Sequence, residues 1–146
     1  MREKAPKKIL VVDDHERVRT VISRLLAAQN YLMVQASNGE EAYTKAVAEQ
    51  PDLILLDIMM PVMDGYEALL KIKEHPVTQA TPVLMLSGLD QHFKQRFALE
   101  MGALGYLVKP VRVDDLYEGV KSALDKRRGP RVRILPSPPP TYHPQN

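Results

Sequence analysis

Five side chains with complementary chemistry stand at the ends of short apolar runs. Asp13 and Asp14 follow Ile9–Val12, Asp57 follows Leu53–Leu56, Ser87 follows Pro82–Leu86, and Lys109 follows Leu104–Val108. Carboxylates crowded together repel one another unless a cation joins them. A hard divalent ion, Mg²⁺ foremost, takes oxygen ligands and binds through a few carboxylates plus water and phosphate oxygens. A carboxylate can also act as a nucleophile toward phosphorus. Such a transfer depends on positioning and charge neutralisation, which Mg²⁺ and Lys109 would supply. Ser87 would donate a hydrogen bond to an arriving phosphoryl oxygen. Taken singly, each residue has a plainer reading. Asp13-Asp14 could only cap a helix, where acids are favoured, Asp57 could be a solvated strand end, and Lys109 a surface lysine.

The elements that must hold these residues alternate regularly. Ile9–Val12, Tyr31–Ala36, Leu53–Leu56, Pro82–Leu86 and Leu104–Val108 read as strands, with Ile9–Val12 and Leu53–Leu56 apolar enough for burial on both faces. Between them apolar residues recur at helical spacing. The first helix opens at Asp14 or His15, ends at Asn30 and turns Val18, Val21, Ile22, Leu25 and Leu26 inward. Ser37-Asn38-Gly39-Glu40-Glu41 reads as a turn and cap for the second, which Pro51 stops. The third runs from about Asp64 to Glu74, the fourth from about Gln91 to Met101, and the fifth opens at Asp114-Asp115. Strand and helix alternating five times predict an α/β fold, a single parallel sheet wound on both faces. Sites in such sheets form beyond the carboxyl ends of the strands, where all five residues fall.

The run Val11-Val12-Asp13-Asp14, the run Leu56-Asp57-Ile58-Met59-Met60-Pro61-Val62-Met63-Asp64-Gly65, the pair Ser87-Gly88 and the run Tyr106-Leu107-Val108-Lys109-Pro110 together resemble the motifs of response-regulator receiver domains. Their order and spacing cover roughly residues 7–127, which makes the resemblance far more specific than any single motif. It implies the flavodoxin-like (βα)5 strand order 2-1-3-4-5. It also implies that Asp57 accepts a phosphoryl group from a phosphohistidine on a sensor histidine kinase or phosphotransfer protein. Asp13, Asp14, Asp57 and the Met59 backbone carbonyl would hold Mg²⁺. Ser87 and Lys109 would read the phosphoryl group, and Tyr106 would turn inward as Ser87 moves, with Lys109–Pro110 in the cis form. The output would run through the face of the fourth helix, fifth strand and fifth helix, with Phe93, Phe97, Tyr106, Val111 and Tyr117 as contributors, toward an unknown protein target. For Phe97, core packing competes with that role. Homodimerisation through this face stays open. Met59 and Leu89 stand two residues past the acceptor and the hydroxyl; neither can hydrogen-bond an attacking water, so slow self-dephosphorylation is expected. Gly65 reads as room for a close backbone approach.

Composition narrows the alternatives. Among 146 residues there is no cysteine, which excludes disulfides and thiolate chemistry. The net charge of +2 conceals an asymmetry. Residues 126–146 carry five basic side chains and no acid, residues 1–8 four basic and one acidic, so 9–125 carries −6. No apolar run approaches the roughly 20 residues of a membrane span, and the polar start is no secretory signal, so a cytoplasmic chain is expected. The four histidines lack ligand spacing, and His75 and His92 read as solvated. Residues 128–146, rich in proline and basic side chains, read as a disordered tail. Its Pro139-Pro140-Thr141-Tyr142 matches a WW-ligand pattern that we regard as coincidental. No DNA-reading element is visible, so a receiver without direct DNA binding is expected, either stand-alone or equally the receiver piece of a longer protein. A pseudo-receiver scaffold would lack part of the acidic pocket or the lysine. A haloacid-dehalogenase-like phosphatase would need Asp-x-Asp after the first strand, and a flavodoxin-like electron carrier a phosphate loop that Asp13-Asp14-His15-Glu16 would repel.

Overall fold

The computed structural model describes residues 5–60, 62–88 and 92–125, with the side chains of 92–94 left aside. The expected tail at 128–146, the basic cluster at 126–133, Leu89 and the Phe93 side chain therefore lie outside the described residues.

Among the described residues, five strands form one parallel sheet: β1 Lys8–Val12, β2 Leu32–Ala36, β3 Leu53–Asp57, β4 Val83–Ser87 and β5 Gly105–Val108. Five helices connect or follow them: α1 Glu16–Ala27, α2 Gly39–Glu49, α3 Gly65–Glu74, α4 His92–Glu100 and α5 Val113–Leu124. The sheet order is β2-β1-β3-β4-β5, as the resemblance implies. Alternating side chains of the inner strands feed opposite faces. Leu10, Val12, Ile54, Leu56, Val83 and Met85 pack under α2, α3 and α4. Ile9, Val11, Leu53, Leu55, Leu84 and Leu86 pack under α1 and α5.

The helix starts follow local chemistry. Asn38 accepts the Glu41 amide at 2.8 Å and the Glu41 carboxylate accepts the Ser37 amide at 2.7 Å, a reciprocal cap. Asp64 caps α3 by accepting the Glu67 amide at 3.0 Å. Gln50 closes α2 in the left-handed region at φ 48°.

Five expectations need correction. The fifth helix begins earlier, with Arg112 as a cap that makes no side-chain bond, and Asp114 and Asp115 lie in its first turn. Val21 is half exposed because it lines an open apolar groove between α1 and Val111. Val111 and Tyr117 face α1 rather than α4: both pack in the α1–α5 layer, and the Tyr117 hydroxyl donates to the Leu25 carbonyl at 3.4 Å. His75 is part-buried, edge-on to Tyr43 with ring centroids 5.9 Å apart, and its Nδ1 accepts the Val77 amide. Phe97 is 46 % exposed, edge-on to Tyr66 rather than sunk in the core.

Candidate functional site

The carboxyl edge of the sheet gathers the predicted residues. Asp13 leaves β1 fully buried, its amide donating to the Ala36 carbonyl of β2. Its Oδ1 accepts the His15 amide at 2.9 Å and lies 3.2 Å from His15 Nδ1. Its Oδ2 receives Lys109 Nζ at 3.0 Å. Arg19, reaching up from α1, donates to the Asp13 carbonyl at 2.8 Å and fixes the turn from behind.

Asp57 ends β3 and is 2 % exposed. Lys109 Nζ lies 3.3 Å from its Oδ1, so one ammonium bridges two buried carboxylates. Burial first, then the neighbouring Asp13 charge, push the Asp57 carboxyl up to about 6; Lys109 and the Met59 amide pull against them. Burial opposes the Lys109 charge, yet its bond to Asp13 and the charges of both acids outweigh that and hold the ammonium above its usual range. This is the signature of an acidic pocket that one lysine only partly neutralises.

The loop after Asp57 is held close. The Gly65 amide donates to the Ile58 carbonyl at 2.9 Å. A Cβ on Gly65 would collide with the Asp57 carbonyl oxygen and stand 2.7 Å from the Ile58 Cα, so only glycine lets α3 start against the end of β3. Met59 donates its amide to Asp57 Oδ1 at 3.4 Å and leaves its side chain half exposed.

Ser87, at the end of β4, is fully buried and accepts a hydrogen bond from Gln95 Nε2 at 2.5 Å. Tyr106 is 9 % exposed and packs in the α2–α4 layer, and burial raises its hydroxyl. It already points inward. The Lys109–Pro110 peptide is cis, as expected.

The donor set suits a hard divalent cation. Asp13, Asp14 and Asp57 offer oxygens at a single edge, and Asp14 Oδ1 is buried with no hydrogen bond, its near neighbour being the His15 ring nitrogen. An oxygen left in that state is the kind a cation would satisfy. His15 has no ligand spacing in the sequence, yet its Nδ1 stands 3.2 Å from an oxygen of each acid, beside the same pocket. Gln95 and Arg19 likewise carry no signal in the sequence. A polar residue on a helix has no signature until the partner facing it across the fold is known.

A family model described as the response regulator receiver domain matches residues 9–121. The chain is 41% identical over 118 residues to the alkaline phosphatase synthesis transcriptional regulatory protein PhoP of Bacillus subtilis, covering 81% of this chain and 48% of that protein. It is 37% identical over 134 residues to the transcriptional regulatory protein ResD of the same organism, covering 92% of this chain and 54% of that one. The chain thus spans about half the length of these curated relatives. Among solved structures, the Vibrio cholerae chemotaxis protein CheY4 is similar with a TM-score of 0.78 at 33% identity, over 82% of this chain and 100% of that one. A response regulator from Chloroflexus aurantiacus is similar with a TM-score of 0.79 at 31% identity, over 83% and 99%.

Proposed function

This chain belongs to the response regulator receiver family, and from that premise we propose that Asp57 is the phosphoacceptor of a two-component switch. The observation that carries this reading is the buried Asp57 carboxylate, held beside Asp13 and bridged to it by Lys109. An Asp57 oxygen attacks the phosphorus of a phosphohistidine on a sensor kinase or phosphotransfer protein. The phosphorus–nitrogen bond breaks and the histidine leaves. Lys109 stays beside the new acyl phosphate and offsets its charge. Asp13, Asp14, Asp57 and the Met59 carbonyl would hold Mg²⁺, which when bound neutralises charge on the transferring phosphoryl oxygens. Burial excludes bulk water and strengthens each of these contacts.

The product adds negative charge and acceptor oxygens at the sheet edge. Ser87 then closes on a phosphoryl oxygen, and the shift passes to α4 and β5, where Tyr106 packs. The downstream reader of that face is a protein. The acidic body of the chain argues against direct DNA binding; saturable binding to duplex DNA at physiological salt would overturn that. Among the described residues no helix is long and apolar enough to cross a membrane, and a cytoplasmic location fits this role. Function lies in signalling rather than turnover, with the chain at most assisting its own phosphorylation and slow dephosphorylation.

The test is intact mass after acetyl phosphate with Mg²⁺, then with a phosphorylated histidine donor. One phosphoryl addition per chain that needs Mg²⁺ and disappears in Asp57→Ala is expected. No addition from either donor would favour a phosphorylation-independent scaffold instead.

A further inference from the structure

Strand alternation separates the hydroxyl from the charges it is to read. Along β3, Leu53 and Leu55 point to the α1–α5 layer and Ile54 and Leu56 to the other, so Asp57 continues the α1–α5 side. The same parity along β1 and β5 sends Asp13 and Lys109 to that side, in agreement with their ion pairs to one another. Along β4, Val83 and Met85 lie under α2–α4 and Leu84 and Leu86 under α1–α5. Ser87 therefore continues the α4 side, away from Asp57. Gln95 meets it there. The amide is 2 % exposed and donates to the Ser87 hydroxyl at 2.5 Å, with a longer contact of 3.4 Å to the Gly88 carbonyl.

We propose that Gln95 is a positioning residue that holds the Ser87 hydroxyl on α4 and thereby sets how strongly a phosphoryl group must compete to recruit it. The proposal rests on Asp57 being the acceptor. Closing Ser87 on a phosphoryl oxygen draws the hydroxyl off a buried amide that keeps only its longer contact to the Gly88 carbonyl, and losing the shorter bond is costly. Tyr106 is already inward, so its ring does not supply the resistance; the Ser87–Gln95 bond does. Because Gln95 sits within α4, release of the bond is also felt by the helix that carries the output. A ligand can shift a two-state equilibrium only by its differential affinity. Weakening the unliganded arrangement therefore tightens the apparent affinity for any phosphoryl mimic.

The experiment measures beryllofluoride affinity with saturating Mg²⁺ on the whole chain by titration calorimetry, in wild type, Gln95→Met, Ser87→Ala and the double variant. Gln95→Met keeps the length and removes the hydrogen bonds; Gln95→Ala serves as the second variant if the first does not fold. One neutral hydrogen bond predicts that Gln95→Met binds about fivefold tighter than wild type. In the Ser87→Ala background the same change should do much less, because the Ser87 bond is already gone and only the longer Gly88 contact is lost. The Gln95 side-chain amide resonance should move on beryllofluoride addition in wild type. Unchanged or weaker binding in Gln95→Met, or equal tightening in both backgrounds, would overturn the proposal. A wild-type chain that takes neither beryllofluoride nor a phosphoryl group would instead overturn the reading of Asp57 itself, and this proposal with it.

Discussion

At the scale of the residue, the site stores electrostatic cost. Burial and Asp13 raise the Asp57 carboxyl from 3.8 to about 6. A carboxyl raised on folding is penalised when ionised. The penalty is fully present above about pH 6, shrinks as pH falls through 6, and vanishes below the unfolded value near 3.8. A shift of about two units corresponds to about 3 kcal/mol at most. Without divalent cations, Asp57→Asn should therefore be more stable than wild type at pH 7.5 by about 1–3 kcal/mol, with the gain fading toward pH 4.5, as denaturant melts would read. We expect Met59 to set a second property. Its side chain is half exposed beside the acceptor and offers no hydrogen bond to water. Met59→Asn should shorten the lifetime of the phosphorylated chain several-fold, followed by loss of the phosphoryl mass after the donor is removed. Asp13, Asp14, Asp57, Ser87 and Lys109 were legible in the sequence because each ends an apolar run, and a parallel sheet places all such ends along one edge. His15, Arg19 and Gln95 were not. Their roles come from neighbours across the fold, and periodicity says nothing about which helix faces which strand end.

At the scale of the element, the close seating of α3 on β3 decides the geometry. The Gly65 amide bonds the Ile58 carbonyl, and no Cβ fits against the Asp57 backbone. Gly65→Ala should cost about 1–3 kcal/mol by overpacking and slow Mg²⁺-dependent phosphorylation, because relief of the clash moves the strand end that carries Asp57. Thermal melts and phosphorylation rates on one preparation check both effects. Helix and strand identities were readable throughout, since buried parallel strands give apolar runs and the helices give apolar residues at their own spacing. Errors fell where burial is decided from outside the element. Val21 matches the helical pattern yet borders an open groove, and Phe97 stands on the surface against Tyr66. The start of α5 reads late in the sequence because Arg112 caps without a side-chain signal, while Asp114 and Asp115 imitate one.

At the scale of the whole molecule, the two apolar layers divide the labour. β1, β3 and β4 lie inside the sheet and contribute side chains to both layers, whereas β2 and β5 close its edges. Leu32 at the β2 edge is half exposed. We propose that residues 7–127 are the complete receiver unit, and a chain ending at 127 should fold with the same internal order as the whole. The consequence of the layering is a gradient of amide exchange. Inner-strand amides are released only by global unfolding, while edges open locally. Hydrogen–deuterium exchange should be slowest along β3 and its flanking strands and faster at β2 and β5, in the whole chain and in the shorter one alike. Uniform exchange across the five strands would contradict this. Asp57, the proposed acceptor, would thereby be rooted in the part of the molecule that opens last, and the proposed response of α4 and β5 would come from a part that opens sooner. A phosphoryl group can be kept in register while the surface that reports it remains free to change.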